Sequence, residues 1–160
     1  MEIRIATKDD IELMMSSRLE MLKVVNDLPA DYVYSDEIVN ESRDYFLNGD
    51  QATVLALDGD IVAGCASMSF MRIMPTFSHP TGKRAHLMNV YTRSAYRRQG
   101  IAHKMCEMLI EDARAKGATE ISLDATTMGR PLYESLSFKA STEGMVMTGC
   151  CGCSKKCQKA

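Results

Sequence analysis

The sequence predicts an α/β protein with a mixed central sheet flanked by helices. Two observations carry that expectation. An apolar run of strand length, Ala85-His86-Leu87-Met88-Asn89-Val90-Tyr91, leads through Tyr96-Arg97-Arg98-Gln99-Gly100-Ile101-Ala102 into a stretch of helical periodicity. There Ile101, Met105, Met108 and Leu109 mark one face, with Asp112 in phase. Two further strand patterns, 53–57 and 61–66, are joined across Asp58-Gly59-Asp60, a hairpin signal because Gly59 takes positive φ freely. Hairpins make antiparallel neighbours and crossover helices make parallel ones, so the two together require a mixed sheet.

The remaining elements follow in order. Residues 1–6 alternate polar and apolar like a first strand and lack the apolar core of a signal peptide. Thr7 reads as an N-cap, with Asp9 and Asp10 in the first turn of a helix. Ile11, Met15, Arg18, Leu22 and Val25 fall on one face of that helix, so Arg18 must snorkel or face a cleft. Asn26-Asp27-Leu28-Pro29 ends it. A second helix runs from Ser35 to about Leu47 with Ile38, Tyr45 and Phe46 as apolar anchors, closed by Asn48-Gly49-Asp50. The strand after the hairpin can extend through Phe70 to Ile73, whereas 75–82, with two prolines and a glycine, is a loop. The long helix ends at Lys116-Gly117, a strand follows at 120–124, and Pro131 opens a short helix carrying Leu132, Tyr133 and Leu136. Phe138 opens a last strand ending near Met147.

With 160 residues, 46% of them hydrophobic, the chain has room for one well-buried domain, expected over 1–147. A cysteine-rich tail, 148–160, holds Cys150, Cys151, Cys153 and Cys157, whereas Cys65 and Cys106 read as small buried hydrophobes. No apolar run approaches the ~20 residues that cross a bilayer, so a cytoplasmic protein without a membrane partner is expected. A net charge of −2 argues against a nucleic-acid partner, but the charges are segregated. Residues 24–60 hold nine acids against Arg43 alone, and residues 83–104 hold six bases and no acid. That pattern suits a phosphate-bearing donor on one side and a cationic acceptor on the other.

The turn at 96–102 is the candidate binding site. The first N–H groups of a helix have no intrahelical partner, and Gly100 and Ala102 carry too little side chain to block an anion there. Arg93, Arg97, Arg98 and Lys104 stand nearby in sequence. The Gly-Lys-Ser/Thr of a P-loop and the three glycines of a dinucleotide fold are both absent. Arg97-x-x-Gly100-x-Ala102 instead resembles the acyl-CoA signature of the GNAT N-acetyltransferase superfamily. Asn89-Val90-Tyr91-Thr92 is similar to that family's splayed fourth strand, and Arg130-Pro131-Leu132-Tyr133-Glu134-Ser135-Leu136-Ser137-Phe138 to its Leu-Tyr-Glu-x-Leu-Gly-Phe segment.

The resemblance implies a GNAT-type acyl-CoA N-acyltransferase fold and acetyl transfer from acetyl-CoA, the cosubstrate, to a primary amine by direct attack in a ternary complex, with no metal required. Arg97, Arg98, Gln99, Gly100, Ile101, Ala102 and His103 would hold the pyrophosphate, and Val90, Tyr91 and Thr92 the pantetheine arm. Tyr133 would be the general acid for the departing thiolate. His86 is one candidate base and Asp124 another. Glycine is usual in the family where Ser137 stands, so a positive φ there would call for a different turn. The acceptor is a small-molecule or protein amine, and related folds often pair as homodimers. Two other readings remain at this level: a catalytically inactive acyl-CoA sensor or scaffold, and a thiol or metal carrier working through the tail.

Overall fold

The computed structural model describes residues 1–141 and Met145. One sheet of five strands runs in the order β1 (Glu2–Ile5), β2 (Gln51–Asp58), β3 (Ile61–Arg72), β4 (Lys83–Thr92) and β5 (Glu120–Leu123). The first three pairings are antiparallel. The fourth, β4 with β5, is parallel and is bridged by the helix α3 (Ile101–Ala115). The mixed sheet expected from hairpin and crossover signals is therefore present, and β3 continues to Arg72 as the sequence allowed.

Each face of the sheet carries its own core. Helices α1 (Ile11–Val25) and α2 (Asp36–Asn48) cover one face over Leu55, Leu57, Val62 and Cys65. Helix α3 covers the other, where Ala52, Ala56, Ala63, Ala66 and Ala85 line the sheet beneath Met105 and Leu109. Those small side chains let the helix come close. A Cβ added at Gly64 would lie 2.7 Å from the Tyr91 carbonyl oxygen and 3.1 Å from Met105 Cε. Cys65 and Cys106 are buried as expected, and burial pushes their thiols up to about 11 and about 12, where they stay neutral.

Two expectations about helix faces need correction. On α1 the buried residues are Met14, Met15, Ser17 and Met21, while Val25 is 58% exposed. The segment IELMMSSRLEMLKVV is apolar on several sides, so its periodicity admits two stripes, and the choice fell to the surface beneath it. On α2 Phe46 is the buried anchor and Val39 packs with it, leaving Ile38 exposed. Ser35 caps that helix, its Oγ accepting the Ile38 N–H.

Two of the helices, α3 and the short one that follows β5, end by one device, whereas Gly49 ends α2 in extended backbone. Gly117 ends α3 at φ 81, its N–H bonding Arg114 O while Ala118 N–H bonds Ala113 O, both at 2.9 Å. The short helix α4 (Arg130–Ser135) ends the same way, with Ser137 N–H to Glu134 O and Phe138 N–H to Tyr133 O, both at 3.0 Å. Here Ser137 itself takes φ 69, so the turn keeps its left-handed form without glycine. An L-residue there costs about 1–2 kcal/mol, partly offset by the extra unfolded-chain entropy of glycine. Ser137→Gly is therefore expected to stabilise the fold by about 1 kcal/mol, read as a rise of about 2–4 °C in melting temperature.

No strand forms over 138–141; the rest of the strand expected to reach Met147, and the tail 148–160, lie outside the described residues apart from Met145. Among the described residues no helix is long and apolar enough to cross a membrane.

Candidate active site

β4 outruns its neighbour. Its pairing with β5 joins Arg84–Leu87 to Glu120–Leu123 and stops there, whereas β4 continues to Thr92. Residues 88–92 thus have no β5 partner, and among the described residues nothing pairs with their backbone on that side, which leaves it free for an extended ligand. On its other side the register with β3 jumps: Ser67 lies opposite Met88 and Cys65 opposite Tyr91, so Asn89 and Val90 together face Ala66. This is a β-bulge, and Asn89 takes φ 56, a conformation asparagine tolerates better than most residues. The bulge re-aims side chains: Met88 and Asn89 both reach the α1–α2 side, while Val90 packs into the α3 core.

Beyond Thr92 the chain makes a 3₁₀ turn, Ser94–Tyr96, then takes positive φ at Arg98 (63) and Gly100 (78) before α3 begins. No side chain caps this helix. The N–H groups of residues 98–103, six in succession, have no hydrogen-bond partner among the described residues. They stand at the positive end of the helix dipole, an arrangement whose chemistry suits an anion. Arg97 Nε donates to Thr92 O at 3.0 Å, and Arg98 and Lys104 are exposed beside the turn. Arg93 is not available to it. Its guanidinium turns to Glu20, with Nε 2.9 Å from Oε1 and Nη2 2.5 Å from Oε2, and Tyr91 O–H donates to the same carboxylate at 3.0 Å. That network ties β4 to α1 and holds Glu20 below the usual carboxylate range.

On the opposite face lies a cavity of about 390 Å³, bounded by Arg18 of α1, Glu41 and Tyr45 of α2, Ser69 of β3, and Met88 and Asn89 of β4. Arg18 Nη1 donates to Asn89 Oδ1 at 3.2 Å, and Asn89 Nδ2 donates to Ser67 Oγ at 3.2 Å. Tyr45 and Ser69 share a short hydroxyl–hydroxyl hydrogen bond. Of the two alternatives open to Arg18, facing a cleft is the one realised. The nine acids of residues 24–60 are all exposed, and Glu41 alone of them lines this cavity. The charge segregation read from the sequence is mostly two solvated surfaces.

Tyr133 of α4 sits against the α3 core, edge-on to Phe138 with ring centroids 6.2 Å apart. Burial, with Cys106 nearby, pushes its phenol up to about 12, so it keeps its proton at neutral pH. Its hydroxyl has no partner among the described residues. His86 lies on the cavity face of β4, directly opposite Ser69, with Nδ1 2.9 Å from Ser122 Oγ and Nε2 3.8 Å from Asp124 Oδ2. Asp124 is fully exposed. The two candidate bases thus stand together near the end of β5, outside the cavity lining, with His86 across from the cavity residue Ser69. His103 lies 3.7 Å from Glu107, and His79 bridges Thr119 and Glu120, both surface ties. Among the described residues no cluster of three His, Cys, Asp or Glu could hold a metal.

Sequence reasoning found the turn and missed most of the cavity. Ser67, Ser69, Tyr45 and Met88 carry no local signal. Asn89 did carry one: an asparagine within an apolar strand run marks a bulge.

Residues 19–138 match the family model described as Acetyltransferase (GNAT) family. Among solved structures, a predicted acetyltransferase with acetyl-CoA from Clostridium acetobutylicum is 27% identical, with a TM-score of 0.80 over 91% of this chain and 94% of its own. A transcriptional regulator from Bacillus halodurans is 26% identical, with a TM-score of 0.70 over 91% and 97%. A glucosamine-6-phosphate N-acetyltransferase from Arabidopsis thaliana, 19% identical with a TM-score of 0.66 over 91% and 96%, shares the fold. No curated protein sequence matches the chain.

Proposed function

This chain belongs to the GNAT acetyltransferase family, and from that premise we propose that it transfers acetyl from acetyl-CoA to a primary amine by direct attack in a ternary complex. The observation that supports this most is continuity. The edge at 88–92, free among the described residues, leads into six N–H groups at 98–103 that have no partner among those residues, and the bulge in that edge opens on the cavity.

In this reading the pyrophosphate accepts from the N–H groups of 98–103, and Val90, Tyr91 and Thr92 pair with the pantetheine arm as an added strand. The amine enters from the cavity, and its nitrogen attacks the thioester carbonyl carbon. The carbon–sulfur bond breaks, and the leaving thiolate takes the proton of Tyr133 O–H. The proton on the new amide nitrogen passes to His86, oriented by Ser122 and near Asp124, or by water to solvent.

Calorimetric titration tests the root of the proposal. Acetyl-CoA and free CoA are expected to bind with micromolar affinity and ATP far more weakly. If neither CoA species binds, the acetyl-donor reading falls.

A further inference from the structure

The cavity holds a half-buried cation, Arg18, that forms no salt bridge among the described residues, not even with Glu41, which lines the same cavity. Four other half-buried arginines each meet a carboxylate: Arg4 with Asp10 at 2.7 Å, Arg43 with Glu12 at 2.6 Å, Arg84 with Glu120 at 2.9 Å and Arg93 with Glu20 at 2.5 Å. Arg18 is the exception. Of its five N–H donors, one reaches the neutral Asn89 Oδ1, and no carboxylate lies within salt-bridge distance among the described residues. Burial pulls its pKa below the usual arginine value, and the nearby Cys65 and Tyr34 are both held neutral. A guanidinium drawn out of water without an anion is costly, and a site that keeps one is prepared for an anion that arrives with a ligand.

We infer that the acceptor is an α-amino acid, and that Arg18 binds its carboxylate while the adjacent amine takes the acetyl group. This rests on the acetyltransferase reading above. Three features select the ligand. The planar fork of a guanidinium matches a carboxylate in bidentate fashion, and among the described residues no second basic side chain lines the cavity to balance a phosphate dianion. Arg18 touches Asn89 at the bulge, so an anion held by it lies next to the reacting centre, and amine and carboxylate must be close neighbours on the acceptor. A peptide or protein amino terminus carries its carboxylate far away and would leave Arg18 unpaired. Finally, Tyr45, Phe46 and Met88 offer an apolar wall, and about 390 Å³ is the scale of a small-molecule site, which favours apolar or aromatic side chains.

The test compares leucine, methionine and phenylalanine with their α-amides at saturating acetyl-CoA, following CoA release. The amino acids are expected to win by about 100-fold in kcat/KM, because the amides leave the guanidinium unpaired. Arg18→Met is expected to bring that ratio close to one, and Arg18→Lys, which keeps the charge but loses the fork, to restore part of it. In parallel, N-acetylphenylalanine and N-acetylphenylalaninamide are titrated into the free protein, where only the acid should bind measurably. Amides used or bound as well as the acids, or a preference that survives Arg18→Met, would overturn the inference. A role for Arg18 limited to propping Asn89 would lower both rates together and leave their ratio unchanged. Should Arg18→Met not fold, the acid and amide pair on the wild-type protein decides alone. Failure of acetyl-CoA to bind strikes the donor reading, while the acetyl-amino-acid titration still reports on Arg18.

Discussion

Gly100→Val is expected to weaken acetyl-CoA binding by at least about 100-fold. Gly100 stands at φ 78 immediately before α3, and a Cβ there would meet no protein atom within 4 Å. The substitution therefore acts through the backbone: a left-handed L-residue costs about 1–2 kcal/mol, more when β-branched. The chain relieves that strain by rotating toward negative φ, which turns the N–H groups that follow away from their common focus. Losing two charge-assisted hydrogen bonds of about 1.5 kcal/mol each accounts for a change of that size. Gly117→Val is the control, since φ 81 at the far end of the same helix imposes similar strain away from the turn. Melting temperatures of the two variants should fall by comparable amounts, and calorimetry should show lost acetyl-CoA affinity for Gly100→Val alone. Equal affinity in both would remove the turn from the binding site.

Tyr133→Phe should lower kcat by about 100- to 1000-fold while changing the acetyl-CoA Kd less than about twofold. The change is clean because only a hydroxyl is lost, and that hydroxyl has no partner among the described residues. The ring keeps its edge contact with Phe138 and its place against the α3 core, so stability should scarcely move. With the phenol pushed up to about 12 by burial, the acid stays protonated well above neutral pH. Its ionisation should therefore produce no alkaline loss of kcat between pH 7 and about 10, a range set by that raised value. Unchanged turnover in Tyr133→Phe would leave Tyr133 as packing and return the thiolate's proton to solvent. Lost turnover accompanied by lost affinity would point to a positioning role.

The parts of this protein that sequence reading reached are those written in neighbouring residues. The Asp58-Gly59-Asp60 hairpin, the start of α3 after Gly100 and its stop at Gly117 rest on backbone preferences within a few positions. The α3 stripe could be read because its apolar residues fall on one side only, whereas α1 was misread because apolar residues occur on several of its sides. Arg93 was misplaced for a related reason: its position beside the turn says nothing of Glu20, 73 residues away in sequence, which claims it.

By itself the sequence determined the order of elements as far as α4, the mixed sheet, the family resemblance and the glycine turn that opens α3, since periodicity and φ preference are local properties of a chain. Tertiary structure alone decided the cavity, because Arg18, Glu41, Tyr45, Ser69 and Asn89 come from four elements and meet only once the sheet has formed. It also decided which arginines are spoken for. Pairing depends on distances through space that no spacing along the chain encodes, and so Arg18, which meets no carboxylate among the described residues, became visible with its implication for the acceptor only in the fold.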